Sequence, residues 1–287
     1  MKNEILVIGG TGTIGKTLVE LLRENNINYR LLVRNKPTEE QLKSQDVPCV
    51  VGALGEWPAV ETALTDVNAI FLLTSPSPEM FELHQGLIDR AVKAGVRKIV
   101  RLSAVPAHAG SDMPMYDLHG RADDYLKESD IEYVILRPHY FMQNILMMHA
   151  PFIKESSTFA QYLGDTRIPM VDSRDIARVA FHCLTTDEFN NETYIITGPR
   201  AISFTDVAKA LSKSLDRDIQ YVSLSYEDQE KGFKAAGLPD WTAKTVLNLF
   251  RTWVETPEHK VSPDFEKITK TRPTDIEKFA ADFADSF

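Results

Sequence analysis

The chain has 287 residues, 32 Lys and Arg against 41 Asp and Glu, a formal charge of −9, and is 43% hydrophobic and 25% charged. At roughly 150 residues per domain this length allows one large domain or two unequal ones, and the composition excludes general disorder. The acidic balance excludes broad binding to a nucleic-acid backbone, which needs clustered Lys and Arg, but leaves room for a small basic pocket that takes one phosphate.

Met1, Lys2 and Asn3 run straight into the apolar stretch 5–8. That stretch is too short for a signal peptide, and no 18-residue apolar segment follows, so we expect a soluble, cytoplasmic protein with no membrane partner. Two cysteines, Cys49 and Cys183, cannot build a disulfide framework and suit a reducing compartment. Both read as packing residues.

Short apolar runs follow at 29–33, 48–51, 69–73, 98–102 and 133–136, each rich in Ile, Val and Leu without polar alternation. Strands buried on both faces have this character. Stretches long enough for crossover helices separate them, notably 13–24, 79–94 and 118–129. The pattern predicts an α/β protein built on a doubly wound parallel sheet, with ligands bound at the carboxyl edge of the strands.

The first strand ends in Val7-Ile8-Gly9-Gly10-Thr11-Gly12-Thr13-Ile14-Gly15. Both Gly-x-Gly-x-x-Gly and Gly-x-x-Gly-x-x-Gly spacings are present, between an apolar run and a helical pattern, which is the context such a motif needs. Gly9, Thr11, Gly12, Thr13, Ile14 and Gly15 are thus candidates for holding a dinucleotide pyrophosphate at a helix N-terminus. An NAD site usually places an acid near the end of the second strand. Here that strand ends Leu32-Val33-Arg34-Asn35-Lys36, with no acid before Glu39. Arg34 can meet a 2′-phosphate with paired donors and Lys36 adds charge, which favours NADPH/NADP over NAD(H).

Beyond residue 140 the rhythm changes. Strands are expected at 167–171 and 193–197, with a helix near 174–184 between them. Helix starts are marked by Ser203…Asp206, Ser225…Asp228 and Thr274…Glu277, and by Ser262 ahead of Pro263. We therefore expect a nucleotide-binding domain over residues 1–150, continued by 165–200, and a smaller, mostly helical C-terminal lobe over 201–287 with 151–164. No linker separates them, so the two are expected to share an interface.

The chain resembles the NmrA-like, atypical branch of the short-chain dehydrogenase/reductase family. The resemblance rests on Gly9–Gly15, Leu32-Val33-Arg34-Asn35, Ala94-Gly95-Val96-Arg97-Lys98-Ile99-Val100 into Leu102-Ser103, and Leu126-Lys127-Glu128-Ser129. It extends through Tyr133-Val134-Ile135-Leu136-Arg137-Pro138, Val171-Asp172-Ser173-Arg174-Asp175-Ile176-Ala177 and Arg272-Pro273-Thr274. It implies a Rossmann-type domain whose small lobe closes a substrate cleft. The family includes NADPH-dependent quinone reductases, triphenylmethane-dye reductases and redox-sensing regulators. One departure is the stretch Val51-Gly52-Ala53-Leu54, where many relatives carry an acid.

Leu73 ends the fourth strand and Thr74 and Ser75 follow it, where the loop should pass the cofactor ribose and pyrophosphate. The resemblance implies that Ser103 borders the nicotinamide ribose, a capping hydroxyl being the alternative. Pro138, His139 and Tyr140 would lie along the nicotinamide with backbone contacts. His119 falls where several reductases of the family carry His or Lys, and is the candidate proton donor or substrate hydrogen-bonder; a helix-start histidine without chemistry is the alternative. Phe141, Met142 and Trp241 are candidates for lining an apolar substrate cleft. Met147 and Met148 could join them, although such residues at helical spacing are often core. Asp172 and Asp175 read as helix caps.

None of the nine tyrosines has Lys four residues later, so the Tyr-x-x-x-Lys pair that moves a proton in carbonyl-reducing relatives is missing. Scattered histidines without Cys-x-x-Cys or His-Glu-x-x-His spacing give metal chemistry no support. The expected function is an NADPH-dependent oxidoreductase passing hydride to a small conjugated acceptor: a quinone, enone or imine-like compound. The alternative is an NADP(H)-binding redox sensor without turnover. A homodimer and a protein partner are both left open.

Overall fold

Strand β1 (Glu4–Ile8) leads into helix α1 (Thr13–Glu24) and then β2 (Tyr29–Val33). This step recurs along the first half of the computed structural model, which describes residues 4–256 and 258–287. It continues through α2 (Lys36–Lys43), β3 (Cys49–Val51), α3 (Trp57–Ala63), β4 (Val67–Leu72), α4 (Met80–Lys93), β5 (Lys98–Leu102), α5 (Pro114–Lys127) and β6 (Glu132–Pro138). Next come α6 (Gln143–Ser156), β7 (Thr158–Gln161), α7 (Ser173–Thr185) and β8 (Glu192–Ile196). The remainder is α8 (Phe204–Leu215), β9 (Gln220–Ser223), α9 (Tyr226–Ala235), α10 (Asp240–Glu255), α11 (Asp264–Thr269) and α12 (Ile276–Asp282).

Seven strands form one sheet in the order β3-β2-β1-β4-β5-β6-β8, and the pairs from β3 through β6 are parallel. Parallel strands covered by helices on both faces are near-continuously apolar: Leu6, Val7, Ile70, Phe71, Leu72, Ile99 and Val100 have no exposed surface. Helix α1 meets the sheet through Ile14, Leu18 and Leu22, one face at i, i+4 and i+8. From β1 the chain winds outward through β2 and β3, then crosses to β4 and winds the other way. The loops after β1 and β4 thus diverge at the sheet's topological switch point, where ligands bind in open α/β sheets. Ile8 is in register with both Leu32 and Leu72, so the ends of all three strands stand at one level. The fold is a Rossmann-type doubly wound α/β sheet.

The chain divides into two compact units. One comprises the residues up to Pro138 with Arg174–Ile195 and Lys267–Lys270; the other comprises His139–Ser173, Ile196–Glu266 and Thr271–Phe287. Residues 139–150 and 165–173 thus fall in the second unit and not with the sheet. The second unit has its own core, in which Phe159, Phe204, Phe250 and Phe279 are fully buried.

Two sequence expectations need correction here. Residues 167–171 form no strand: Ile168 and Val171 make isolated bridges to Ile202 and Phe141, and Pro169 in the middle has no N–H to give a ladder. Unforeseen strands β7 and β9 pair in parallel instead; being short, with little buried surface on β9, they leave no apolar run to read. Helix α8 begins with the expected reciprocal box between Ser203 and Asp206, and Ser225 caps α9. Ser262 accepts from the Asp264 N–H at 3.2 Å ahead of α11. At α12 the cap is Asp275, which accepts from Lys278 N–H at 2.8 Å, one residue after the expected Thr274. Among the described residues no helix is long and apolar enough to cross a membrane.

Candidate functional site at the strand ends

The turn after β1 is held by the Gly12 N–H bonding to the Gly9 carbonyl at 3.1 Å. Three glycines serve it in different ways. Gly9 has φ +84°, and a Cβ there would stand 2.6 Å from the Leu73 carbonyl oxygen, so the loops after β1 and β4 are in contact. A Cβ on Gly15 would stand 2.1 Å from the Gly9 oxygen; no side chain fits between turn and helix. Gly12 is different. Its φ of −81° suits any residue, and the nearest atom to a Cβ there is 3.4 Å away. Nothing inside the chain requires glycine at this exposed N-cap. Its missing side chain keeps clear the space in front of α1, where N–H groups lacking a side-chain cap and the positive end of the helix dipole face outward. Thr11 and Thr13 are exposed beside it, while Ile14 and Gly15 are buried against the sheet.

At the end of β2, Arg34 and Lys36 are both exposed. Asn35 between them caps α2 by accepting from Thr38 N–H at 3.0 Å. The first acid, Glu39, is engaged by Lys43 at 2.6 Å.

Beyond β4, Leu73 N–H bonds to the Ile8 carbonyl at 3.3 Å, Thr74 is half-buried and Ser75 exposed. Thr74 opens a polar network that sequence reasoning missed. Its Oγ1 lies 2.8 Å from His84 Nε2 on α4, and Arg101 Nε on β5 donates to His84 Nδ1 at 3.1 Å. The Arg101 guanidinium also pairs with Asp123 on α5 and reaches His119 Nδ1 at 3.2 Å. Ser103 donates to Asp123 at 2.8 Å, as does Arg137 Nη2 from β6 at 2.7 Å. Arg101 and Asp123 have no exposed surface at all. A buried charge needs a partner, and Asp123 serves two arginines and a hydroxyl. An arginine inside the run Lys98-Ile99-Val100-Arg101-Leu102 was the available signal: a charge within a strand buried on both faces demands such a partner.

Both histidines are buried, and their pKa values lie well below the ordinary value, first from desolvation and then from the Arg101 charge; Arg137 adds to the effect on His119. His119 is not at a helix start as expected. Helix α5 begins at Pro114, which puts the ring one turn further in, and a Cβ on the adjacent Gly120 would lie 2.1 Å from the His108 carbonyl carbon. The helix therefore packs directly on the loop that precedes it.

Pro138 ends β6. The next three candidates lie in the second unit. His139 packs against Trp253, ring centroids 5.0 Å apart, its Nδ1 accepting from Tyr140 N–H at 2.9 Å. The Tyr140 ring lies edge-on to Phe204 and Trp253; burial raises its pKa. Phe141 is half-buried. Met142, expected beside an acceptor, is a core residue of this unit, 1% exposed. Trp241 lies in the first turn of α10, half-buried. Gln143 bonds Asp172 at 2.7 Å and accepts from Ser173 N–H at 2.7 Å, so Asp172 is tied into structure near the start of α7. Burial pushes the Cys183 thiol up to about 12, which suits a packing residue.

A doubly wound sheet with an open glycine turn at its switch point is a Rossmann-type α/β protein. The chain belongs to the NmrA-like family, whose model matches residues 1–280. It is 33% identical over 246 residues to the NAD(P)H azoreductase of Xenophilus azovorans, covering 86% of each chain. Among solved structures it is similar to a NADPH-dependent quinone oxidoreductase of Escherichia coli in complex with NADPH: TM-score 0.84, 24% identity, 97% of this chain and 99% of that one. It is also similar to the triphenylmethane reductase of a Citrobacter species in complex with NADP(H): TM-score 0.83, 20% identity, 98% and 99% coverage. At these identities the structural likeness carries the fold.

Proposed function

We propose that this protein is a reductase that uses NADPH to reduce small, planar, conjugated acceptors such as quinones, enones or imine-like compounds. The observation that carries the reading is Gly12: no neighbour requires glycine there, yet its missing side chain leaves the N-terminus of α1 open to an anion. Exposed Arg34 and Lys36 support a 2′-phosphate and so NADPH over NADH. The relative and the two structural neighbours, named for reducing azo compounds, quinones and triphenylmethane compounds with NAD(P)H, NADPH or NADP(H), support the reaction class.

When bound, the reduced nicotinamide supplies the hydride. The N–H groups of Thr13, Ile14 and Gly15 would bind the pyrophosphate, Arg34 and Lys36 would hold the 2′-phosphate, and Thr74, Ser75 and Ser103 would border the ribose units. His119 would offer a hydrogen bond to the acceptor's heteroatom. With no Tyr-x-x-x-Lys pair, the chemistry is restricted to acceptors that delocalise the incoming electron pair and are protonated by water; orientation and water exclusion supply the rest.

A second reading is an NADP(H)-binding sensor without turnover, which the open N-terminus of α1 and exposed Arg34 and Lys36 support equally. Steady oxidation of NADPH with a panel of quinones and enones supports the reductase. Tight NADP⁺ binding with no turnover across the panel overturns it in favour of the sensor.

A further inference from the structure

We propose that Arg101 is a positioning residue that locks His84 and His119 in the Nε2–H tautomer, so that His84 donates to Thr74 and His119 keeps its donor proton on Nε2. The inference rests on the reductase reading for the use of His119, though not for the lock itself. A guanidinium has five donors and no acceptor, and it stays charged at any working pH. Arg101 Nε lies 3.1 Å from His84 Nδ1 and its Nη2 lies 3.2 Å from His119 Nδ1. Both Nδ1 atoms must therefore accept, and each neutral ring carries its proton on Nε2. His84 Nε2–H then donates to Thr74 Oγ1 at 2.8 Å, which leaves the Thr74 hydroxyl hydrogen free to donate elsewhere. His119, its Nδ1 likewise engaged by Arg101, carries its proton on Nε2.

The remaining guanidinium nitrogen, Nη1, pairs with Asp123, which Arg137 and Ser103 also bond. The fork of Arg101 is thus filled on three sides by elements α4 and α5, and its plane is fixed. The groups facing His119 are Arg101 on β5 and Arg137 on β6, with Asp123 on its own helix and His84 on α4. One carboxylate between two guanidinium groups leaves an excess positive charge, so a third cation at either imidazole is disfavoured. A neutral imidazole of this kind gives a hydrogen bond without surrendering its proton, as an electrophile and not as an acid. Lysine could replace the charge of Arg101 but not its three directed donors in one plane.

The test is long-range ¹H–¹⁵N correlation NMR on the histidine rings of the whole protein, followed by the Arg101→Lys variant. In the wild type, His84 and His119 are expected as neutral Nε2–H tautomers that do not titrate between pH 5 and 8. A wild-type Nδ1–H tautomer, or a titration in that range, overturns the lock before any variant is made. In Arg101→Lys, at least one ring is expected to give mixed tautomers, with kcat falling about tenfold and the loss of one directed hydrogen bond as the cause. Unchanged tautomers in Arg101→Lys also overturn it. If the lock is seen and lost as expected while no acceptor is reduced by the wild type, the reductase reading fails and the role of Arg101 stands.

Discussion

Arg34 and His119 carry the two sharpest residue-level expectations. A charge-assisted contact to a 2′-phosphate is worth about 1.5–3 kcal/mol, so Arg34→Ala is expected to raise the KM for NADPH roughly 10- to 100-fold and leave that for NADH near its starting value. Parallel kinetics with both cofactors check this, and equal effects remove Arg34 from the phosphate site. His119→Phe keeps an aromatic ring of similar size and deletes the Nε2–H. Its kcat is expected to drop about tenfold, while the wild-type kcat shows no inflection near pH 6.5, because burial and the flanking guanidinium groups hold His119 well below that value. An inflection near 6.5 that vanishes in the variant would instead make His119 a titrating acid.

At the scale of elements, Asp123 and Gly15 show what is tied to what. Asp123 joins α5 to β5 and β6 through two arginines. Removing one partner of a fully buried ion pair leaves charge stranded, so Asp123→Ala is expected to cost about 3–5 kcal/mol in urea unfolding. A cost below about 1 kcal/mol would mean the network relaxes to solvent. The glycine turn was legible in the sequence because each glycine answers a local demand: a positive φ, a close approach, an open helix end. The strands of the main sheet were legible because burial on both faces leaves a run dominated by Ile, Val and Leu. The arginine network was not legible, since its members lie at 84, 101, 119, 123 and 137 and only the strand order brings them together. Strands β7 and β9 also escaped, because pairing of half-exposed segments leaves no period in the chain. His119 was legible by resemblance, but its partner Arg101 lies on β5 and is met only in the folded chain.

For the molecule as a whole, buried histidines predict acid lability. Burial lowers His139 to about 3, with His259 adding to the effect, and lowers His149 to about 4; His84 and His119 also lie well below their ordinary value. Above pH 6.5 these rings are neutral in both states and do not affect the balance. Below 6.5 the unfolded chain binds protons that the folded one refuses, so stability falls with pH until the folded values are reached. Each ring contributes up to about 1.4 kcal/mol per pH unit in that window. Thermal unfolding followed from pH 7.5 to 4.5 is expected to show a midpoint that is flat above 6.5 and falls steeply below 6. A midpoint that stays level to pH 4.5 would mean these rings are protonated in place.

The proposed reaction passes hydride from NADPH to a conjugated acceptor without a tyrosine–lysine pair. Its most direct measurement uses NADPH deuterated at nicotinamide C4, each face in turn, with a cyclic enone, reading the product by mass spectrometry. One deuterium on the β-carbon, delivered from a single face and faster with NADPH than with NADH, is the predicted result. Saturable NADPH binding with no deuterium reaching any acceptor would contradict it.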